Sequence, residues 1–293
     1  MPSLKEVRNR IASVKSTQQI TSAMKMVAAS KLRRAQNNIH AMRPYASKLR
    51  ELLEDLSGSI DSLDENVYTE ERPAKKVLLV AVTSNKGLCG AFNANVIKKV
   101  KAMLARDFKN QYAEGNLDMF FFGKKALEHF QKGKYKNVDG EIDLLDNLKF
   151  DKAVPFAEKF MQAFAAKEYD RVVLVYNQFK NAALQKLVSE QFLPIAPPEQ
   201  TENSTSKTNY IFEPNKEDIV RALIPKSLKI QLYKALLDSY ASEQGARMTA
   251  MHTATENAKE LIKDLRLKYN KARQASITNQ LIEIVSGAEA LRG

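Results

Sequence analysis

Apolar and small residues recur through the first sixty positions at alternating steps of three and four, and no other feature constrains the chain as much. Leu4, Val7, Ile11, Val14, Gln18, Thr21, Lys25, Ala28, Leu32, Ala35, Ile39, Met42, Ala46, Leu49, Leu53, Leu56 and Ile60 follow one another in this spacing. A mean step of about 3.5 residues keeps one stripe of a helix against a partner helix as the two supercoil, so the pattern predicts a coiled-coil seam. Ser3 and Glu6 have the spacing of a capping box, which starts the helix near Leu4. At ~1.5 Å per residue, a helix over residues 3–57 is on the order of 80 Å long, far more than a globular core needs. Pro44 removes one internal hydrogen bond and predicts a local kink, and Gln18, Thr21 and Lys25 put polar groups on the seam.

A second repeat of the same kind lies at the other end. Leu237, Ala241, Gln244, Met248, Met251, Thr255, Ala258, Ile262, Leu265, Tyr269 and Ala272 alternate steps of four and three, and no proline follows Pro225. Two such helices in one chain satisfy each other's seams only if the chain folds back, which predicts a long antiparallel two-helix coiled coil. Gly245 costs about 1 kcal/mol relative to alanine inside a helix and is expected to mark a close approach of the partner helix. The two helices are unequal. With residue 57 opposite roughly residue 218, residue 3 falls near 273, so the tip at 272–288 should project as a lone helix by about 20 Å. Ile277, Leu281, Ile284, Val285 and Ala288 form a stripe along it, and an unpaired amphipathic helix needs an external surface to lie against.

Between the repeats the period changes. Residues 77–82 are a fully apolar, β-rich run, followed by the turn-rich Thr83-Ser84-Asn85-Lys86-Gly87-Leu88-Cys89-Gly90 and a helical stretch to about 107. Further strands are predicted at 117–122, 171–176 and 185–195, with helices running to about 131 and over 151–167. Alternating strands and helices imply βαβ units and a mostly parallel sheet covered on both faces. The expected organisation is a coiled-coil helix over 1–60, a Rossmann-like α/β domain over 75–195, an exposed loop over 196–214 and a coiled-coil helix over 215–293 with the tip at 272–288.

Charge and chemistry narrow the function classes. The net charge of +12 is concentrated at one end: residues 1–50 hold eleven Lys and Arg against the one acid Glu6, leaving +10. Such a patch suits an anionic partner, whether nucleic acid, acidic lipid or acidic protein loops. Tyr45 is the lone aromatic in that stretch, whereas stacking residues accompany single-strand and RNA contacts. The glycine loop after the first strand fails the phosphate-loop test, because Gly87 and Gly90 are three apart with Ala91 next. His40, His129 and His252 are scattered, Cys89 is the single cysteine, and no nucleophile elbow exists. No catalytic, cofactor-binding or metal site is expected. There is no run of eighteen uninterrupted apolar residues, and residues 1–10 are polar and basic, so neither a membrane span nor a secretory signal is expected.

Three stretches resemble the gamma subunit of F-type ATP synthases. They are Ile20-Thr21-Ser22-Ala23-Met24-Lys25-Met26-Val27-Ala28-Ala29-Ser30-Lys31-Leu32, the strand-turn from Thr83 to Asn93, and Tyr269-Asn270-Lys271-Ala272-Arg273-Gln274-Ala275-Ser276-Ile277-Thr278 with Glu283-Ile284-Val285-Ser286-Gly287-Ala288. The resemblance covers essentially the whole chain; it departs at Gln280, where the family usually has Glu. It implies a non-catalytic central rotor shaft that couples proton flow through the membrane c-ring to ATP synthesis or hydrolysis at the beta subunits. Alpha and beta subunits would form a ring around the coiled coil, the α/β domain would bind the epsilon subunit and the c-ring, and membrane contact would run only through these partners. By motif match, the family's contacts with beta carry over to Met24, Lys25, Arg247, Gln274, Thr278 and Glu283. Lys25 and Arg247 are then cations facing acidic loops, while Gln274, Thr278 and Glu283 supply hydrogen bonds. With one cysteine, the chain lacks the thiol switch of plant chloroplast relatives and is similar to bacterial members, which would put it on the cytoplasmic side of the inner membrane. The competing readings are a basic coiled-coil scaffold that binds nucleic acid and, more weakly, a nucleotide-binding enzyme.

Overall fold

The computed structural model describes residues 4–57, 67–182, 184–195 and 216–291. The expected capping residue Ser3, residues 58–66 of the linker and the expected loop at 196–214 lie outside the described residues. In chain order the elements are α1 (Leu4–Ser57), β1 (Val77–Val82), α2 (Phe92–Ala105), α3 (Lys109–Ala113), β2 (Leu117–Phe122), α4 (Lys124–Lys132), β3 (Val138–Glu141), a 3-10 turn (Asp143–Asn147), α5 (Phe150–Ala165), β4 (Arg171–Phe179), β5 (Gln185–Leu193) and α6 (Lys216–Ala290). Helix α1 continues on both sides of Pro44, as α6 does around Pro225. The chain forms two compact units, Met1–Ala28 with Met248–Gly293, and Ala29–Arg247. Both long helices contribute to each.

In the first unit α1 and α6 run antiparallel. Arg8 bonds to Tyr269 and Thr21 to Thr255, so the residue number rises on one helix as it falls on the other. The heptad positions are the ones removed from water: Val7, Thr21 and Ala28 on α1 and Met251, Thr255, Ala258, Ile262 and Leu265 on α6 are the buried side chains among the described residues of this unit. The intervening positions carry the charges, because only one stripe of a heptad helix faces its partner.

The second unit is built on a five-stranded sheet of order β3-β2-β1-β4-β5. Strand β1 pairs parallel with β2 and β4, β2 pairs parallel with β3, and β5 returns antiparallel to β4. All six residues of β1 are buried, as a central parallel strand covered on both faces requires. Its side chains alternate between two cores. Leu78, Val80 and Val82 join Phe160 and Phe164 of α5 and Ile224, Leu228 and Leu232 of α6. Val77, Leu79 and Ala81 join Val96 and Val100 of α2 and Phe130 of α4. The early part of α6 is therefore a sheet-covering helix, ahead of the seam positions that begin at Leu237. Strand β3 is a finding the sequence pattern did not anticipate. Its Val-Asp-Gly-Glu has one apolar side chain, and Gly140 is there because a Cβ would lie 2.5 Å from the Phe121 carbonyl oxygen.

Candidate functional site

The loop that follows β1 is densely hydrogen-bonded. Thr83, Ser84 and Cys89 are buried. Asn93, at the start of α2, closes the loop: its Oδ1 accepts from the Ser84 amide at 2.9 Å, and its Nδ2 donates to Cys89 Sγ at 3.2 Å. Ser84 Oγ donates to the Lys86 carbonyl at 2.7 Å. The same loop occupies the N-terminus of α4. The Lys124 amide donates to Asn85 Oδ1, the Lys125 amide to the Ser84 carbonyl and the Ala126 amide to Thr83 Oγ1. Helix N-terminal amides form an anion site only while they are unclaimed, and these three are claimed by the chain's own acceptors.

Strand order reverses between β1 and β4, the place where an open α/β sheet receives ligands at the carboxyl ends of its strands. Helix α6 covers the loops that leave both strands. Gly245 packs on the turn after β4, where a Cβ would stand 3.1 Å from the Ala182 carbonyl oxygen. The close approach expected at Gly245 is real, but its partner is this turn and not a helix. Two residues on, Arg247 donates to the carbonyls of Gly87 and Lys86 and to Glu243 Oε1, the last at 2.6 Å.

In that placement Arg247 is a buried cation paired with Glu243. It is 9% exposed, and its guanidinium donates within the unit to two carbonyls and a carboxylate. Burial pushes the Glu243 carboxyl up, and the Arg247 hydrogen bond and charge pull it back down. Sequence reasoning missed Glu243 as a functional residue; its spacing of four from Arg247 on one helix was the available signal.

The remaining candidate residues fall in the first unit. Met24 and Lys25 are half-buried on α1, Lys25 at a seam position and Met24 beside it. Beside them Ile20, Met26 and Val27 point outward, with Met26 64% exposed. They lie off the heptad stripe and were not singled out in the sequence, although the apolar run around Ala28 carried the signal. Gln274, Thr278 and Glu283 lie on the exposed end of α6, where the Thr278 hydroxyl donates to the Gln274 carbonyl at 2.9 Å. All side chains from residue 277 to 290 are exposed, including Ile277 at 49% and Ile284 at 67%. The structure thus gathers Gln274, Thr278 and Glu283 on one helix end and Met24 with Lys25 on another helix, and it takes Arg247 into a buried cluster.

A family model described as ATP synthase matches residues 3–291. The chain is 57% identical to the ATP synthase gamma chain of Christiangramia forsetii over 293 residues, covering 100% of both. It is 56% identical to the ATP synthase gamma chain of Flavobacterium psychrophilum over 293 residues, again covering 100% of both. Among solved structures it is similar to a chain of the Tetrahymena thermophila mitochondrial ATP synthase, central stalk and c-ring, with 28% identity and a TM-score of 0.58 over 80% of this chain and 99% of that one. With its two heptad helices, its inserted, mostly parallel sheet and full-length relatives at more than half identity, the chain belongs to the ATP synthase gamma chain family.

Proposed function

We propose that the chain is the central rotor shaft of an F-type ATP synthase, turning inside a ring of alternating alpha and beta subunits while its α/β unit binds the epsilon subunit and the c-ring. The observation that carries this reading is the end of α6. Beyond Tyr269, which still bonds to Arg8 of α1, the helix continues to Ala290 with an apolar stripe exposed to water. A stripe of that size on a lone helix is stable in solution only as an interaction surface, and a surrounding ring of subunits supplies one. Met24 and Lys25 on α1 and Arg247, Gln274, Thr278 and Glu283 on α6 are the proposed contacts with beta. A shaft without threefold symmetry meets the three beta subunits differently. Its differential affinity for their conformations biases each toward a different nucleotide affinity, and rotation exchanges the assignments.

No helix among the described residues is long and apolar enough to cross a membrane. The proposed attachment is peripheral, through the c-ring, on the cytoplasmic face of the inner membrane. Reassembly tests the reading. The chain alone is expected to hydrolyse no ATP, a mixture with alpha and beta subunits to turn over, and the same mixture with a chain ending at residue 272 to turn over more slowly. Equal turnover by the shortened and full chains removes the α6 tip from the coupling surface.

A further inference from the structure

Helix α6 is fixed to the sheet, to α5 and to β5 before its seam with α1 begins. Ile224, Leu228, Leu232 and Leu236 lie in one core of the sheet, with Phe160 and Phe164 of α5. Lys229 Nζ donates to Glu158 Oε1 of α5 at 2.6 Å, and Tyr233 meets the Phe150 ring edge-on with centroids 5.5 Å apart. Gln231 Nε2 donates to Glu190 Oε1 of β5, also at 2.6 Å. The following positions belong to the seam. Leu237, Ala241 and Gln244 are buried, as are Leu32, Ala35 and Ile39 of α1, and counted antiparallel from Thr21 and Thr255 these positions face one another in pairs. Sheet contact and seam thus share one uninterrupted helix. Among the described residues, no α1 side chain belongs to either core of the sheet.

The covalent link between α1 and the sheet takes a separate route. By Tyr68 the chain is already bonded at the base of the sheet, since the Ile195 amide, just past β5, donates to the Tyr68 carbonyl at 2.8 Å. Arg72 Nη2 donates to the Phe164 carbonyl at 3.0 Å, and Asp170 Oδ2 accepts from the amides of Lys75 at 3.0 Å and Lys76 at 2.8 Å. Residues 68–76 therefore move with the sheet, and the backbone joins them to α1 only through the stretch between 57 and 67. A force applied to the sheet enters α6 through packed side chains, and close-packed interiors transmit strain. We propose that α6 alone carries torque between the α/β unit and the coiled coil, with Leu228, Leu232, Lys229 and Gln231 as the residues that grip the unit, and that the covalent link from α1 to β1 carries none. This rests on the rotor reading above and gives the two long helices different tasks. Helix α6 is driven, and α1 is turned by α6 through their seam.

Cutting the link tests this. In the full-length chain, residues 58–66 are replaced by a protease site of the same length. Lys98→Cys, at an exposed position of α2, takes a bead, while the buried Cys89 stays out of the coupling reaction. The complex reassembled with alpha and beta subunits is fixed by its ring, and bead rotation under viscous load is followed before and after cleavage, beside ATP turnover in bulk. Cleaved and uncleaved complexes are expected to turn the bead at the same rate. Leu228→Ala with Leu232→Ala is expected to leave bulk turnover near the wild-type level, because the coiled coil is unchanged, and to turn the bead several-fold more slowly as the sheet slips on α6. A bead that stalls or slips on cleavage overturns the proposal, and so does a double-alanine complex that matches wild type in both turnover and bead rotation. Where the double-alanine chain does not fold, the cleavage result decides, since it involves no substitution in α6. Failure of the rotor reading looks different, because the uncleaved complex then does not rotate the bead at all.

Discussion

The hydroxyl oxygens of Thr21 and Thr255 meet 2.9 Å apart on the buried seam between α1 and α6. Thr255 Oγ1 donates to the Met251 carbonyl at 2.7 Å, so across the seam its oxygen accepts from Thr21, whose one proton is shared with the Gln18 carbonyl at 3.1 Å. Valine has the same shape without the hydroxyl. A single Thr21→Val strands one acceptor in the seam and is expected to cost about 1 kcal/mol. Valine at both positions removes both polar groups and is expected to be neutral or stabilising by about 1 kcal/mol. Thermal melts around the double-mutant cycle check this, and a double variant that melts below both singles refutes it.

Asp238 gives the second unit a pH dependence. Burial pushes its carboxyl up to about 6, assisted by Glu190 of β5 and opposed by Lys234, Arg43 and Lys180. A carboxyl raised in the folded state holds its proton more tightly there than in the unfolded chain. Its contribution to stability is fully present below the ordinary carboxylate range and is lost as pH rises through about 6. Asp238→Asn is therefore expected to stabilise the chain at pH 8, by on the order of 2 kcal/mol, and to leave it unchanged near pH 4. Melting temperatures at the two pH values decide the matter; equal shifts at both exclude titration of Asp238 as the cause.

Strands β1 and β2 were readable to the residue because each is a six-residue, largely apolar run with a turn signal at its end. The seam was readable for a similar reason, since a heptad repeat is local information. Strand β4 runs three residues further than its apolar pattern, because Asn177, Gln178 and Phe179 are paired by the ladder to β5. Strand β3 has no pattern to read and exists because β2 offers it an edge. The placement of Arg247 was illegible for a deeper reason. Its carbonyl partners lie about 160 positions away in sequence, and only the path of α6 over the sheet brings them together. Residue type alone describes Arg247 as a surface cation.

Gly123 is the tightest backbone contact of the second unit. Its φ is 100°, and a Cβ there would stand 2.2 Å from the Thr83 carbonyl oxygen, a backbone atom unable to move without disturbing β1. The turn that it makes aims the α4 amides at the loop after β1. Gly123→Ala combines a left-handed backbone with a backbone clash, and the expected loss is roughly 3 kcal/mol or more. Urea unfolding measures it, and a loss under about 1 kcal/mol means that β2 and α4 relax independently of Thr83.

The α6 tip separates stability from function more cleanly than any other part of the chain. Ile277, Leu281 and Ile284 are about half exposed or more, so changing each to glutamine removes almost no buried surface, and the melting temperature of the full-length chain is expected to stay the same. Each of these side chains still stands to lose most of its remaining exposure on entering a ring of subunits. The triple glutamine variant is expected to assemble poorly with alpha and beta subunits and to lower ATP turnover several-fold. Gln274→Ala and Thr278→Ala each remove a single polar group of the kind that contributes on the order of 1 kcal/mol, and turnover should fall only partially. Thr278 already satisfies its donor on the Gln274 carbonyl, so it has only its oxygen lone pairs to offer a partner, and its substitution should be the milder of the two. Turnover of the reassembled complex, set beside the melting temperature of each variant, tests the separation. A triple variant that melts lower and turns over normally reverses both halves of the prediction and assigns the stripe to the chain's own packing.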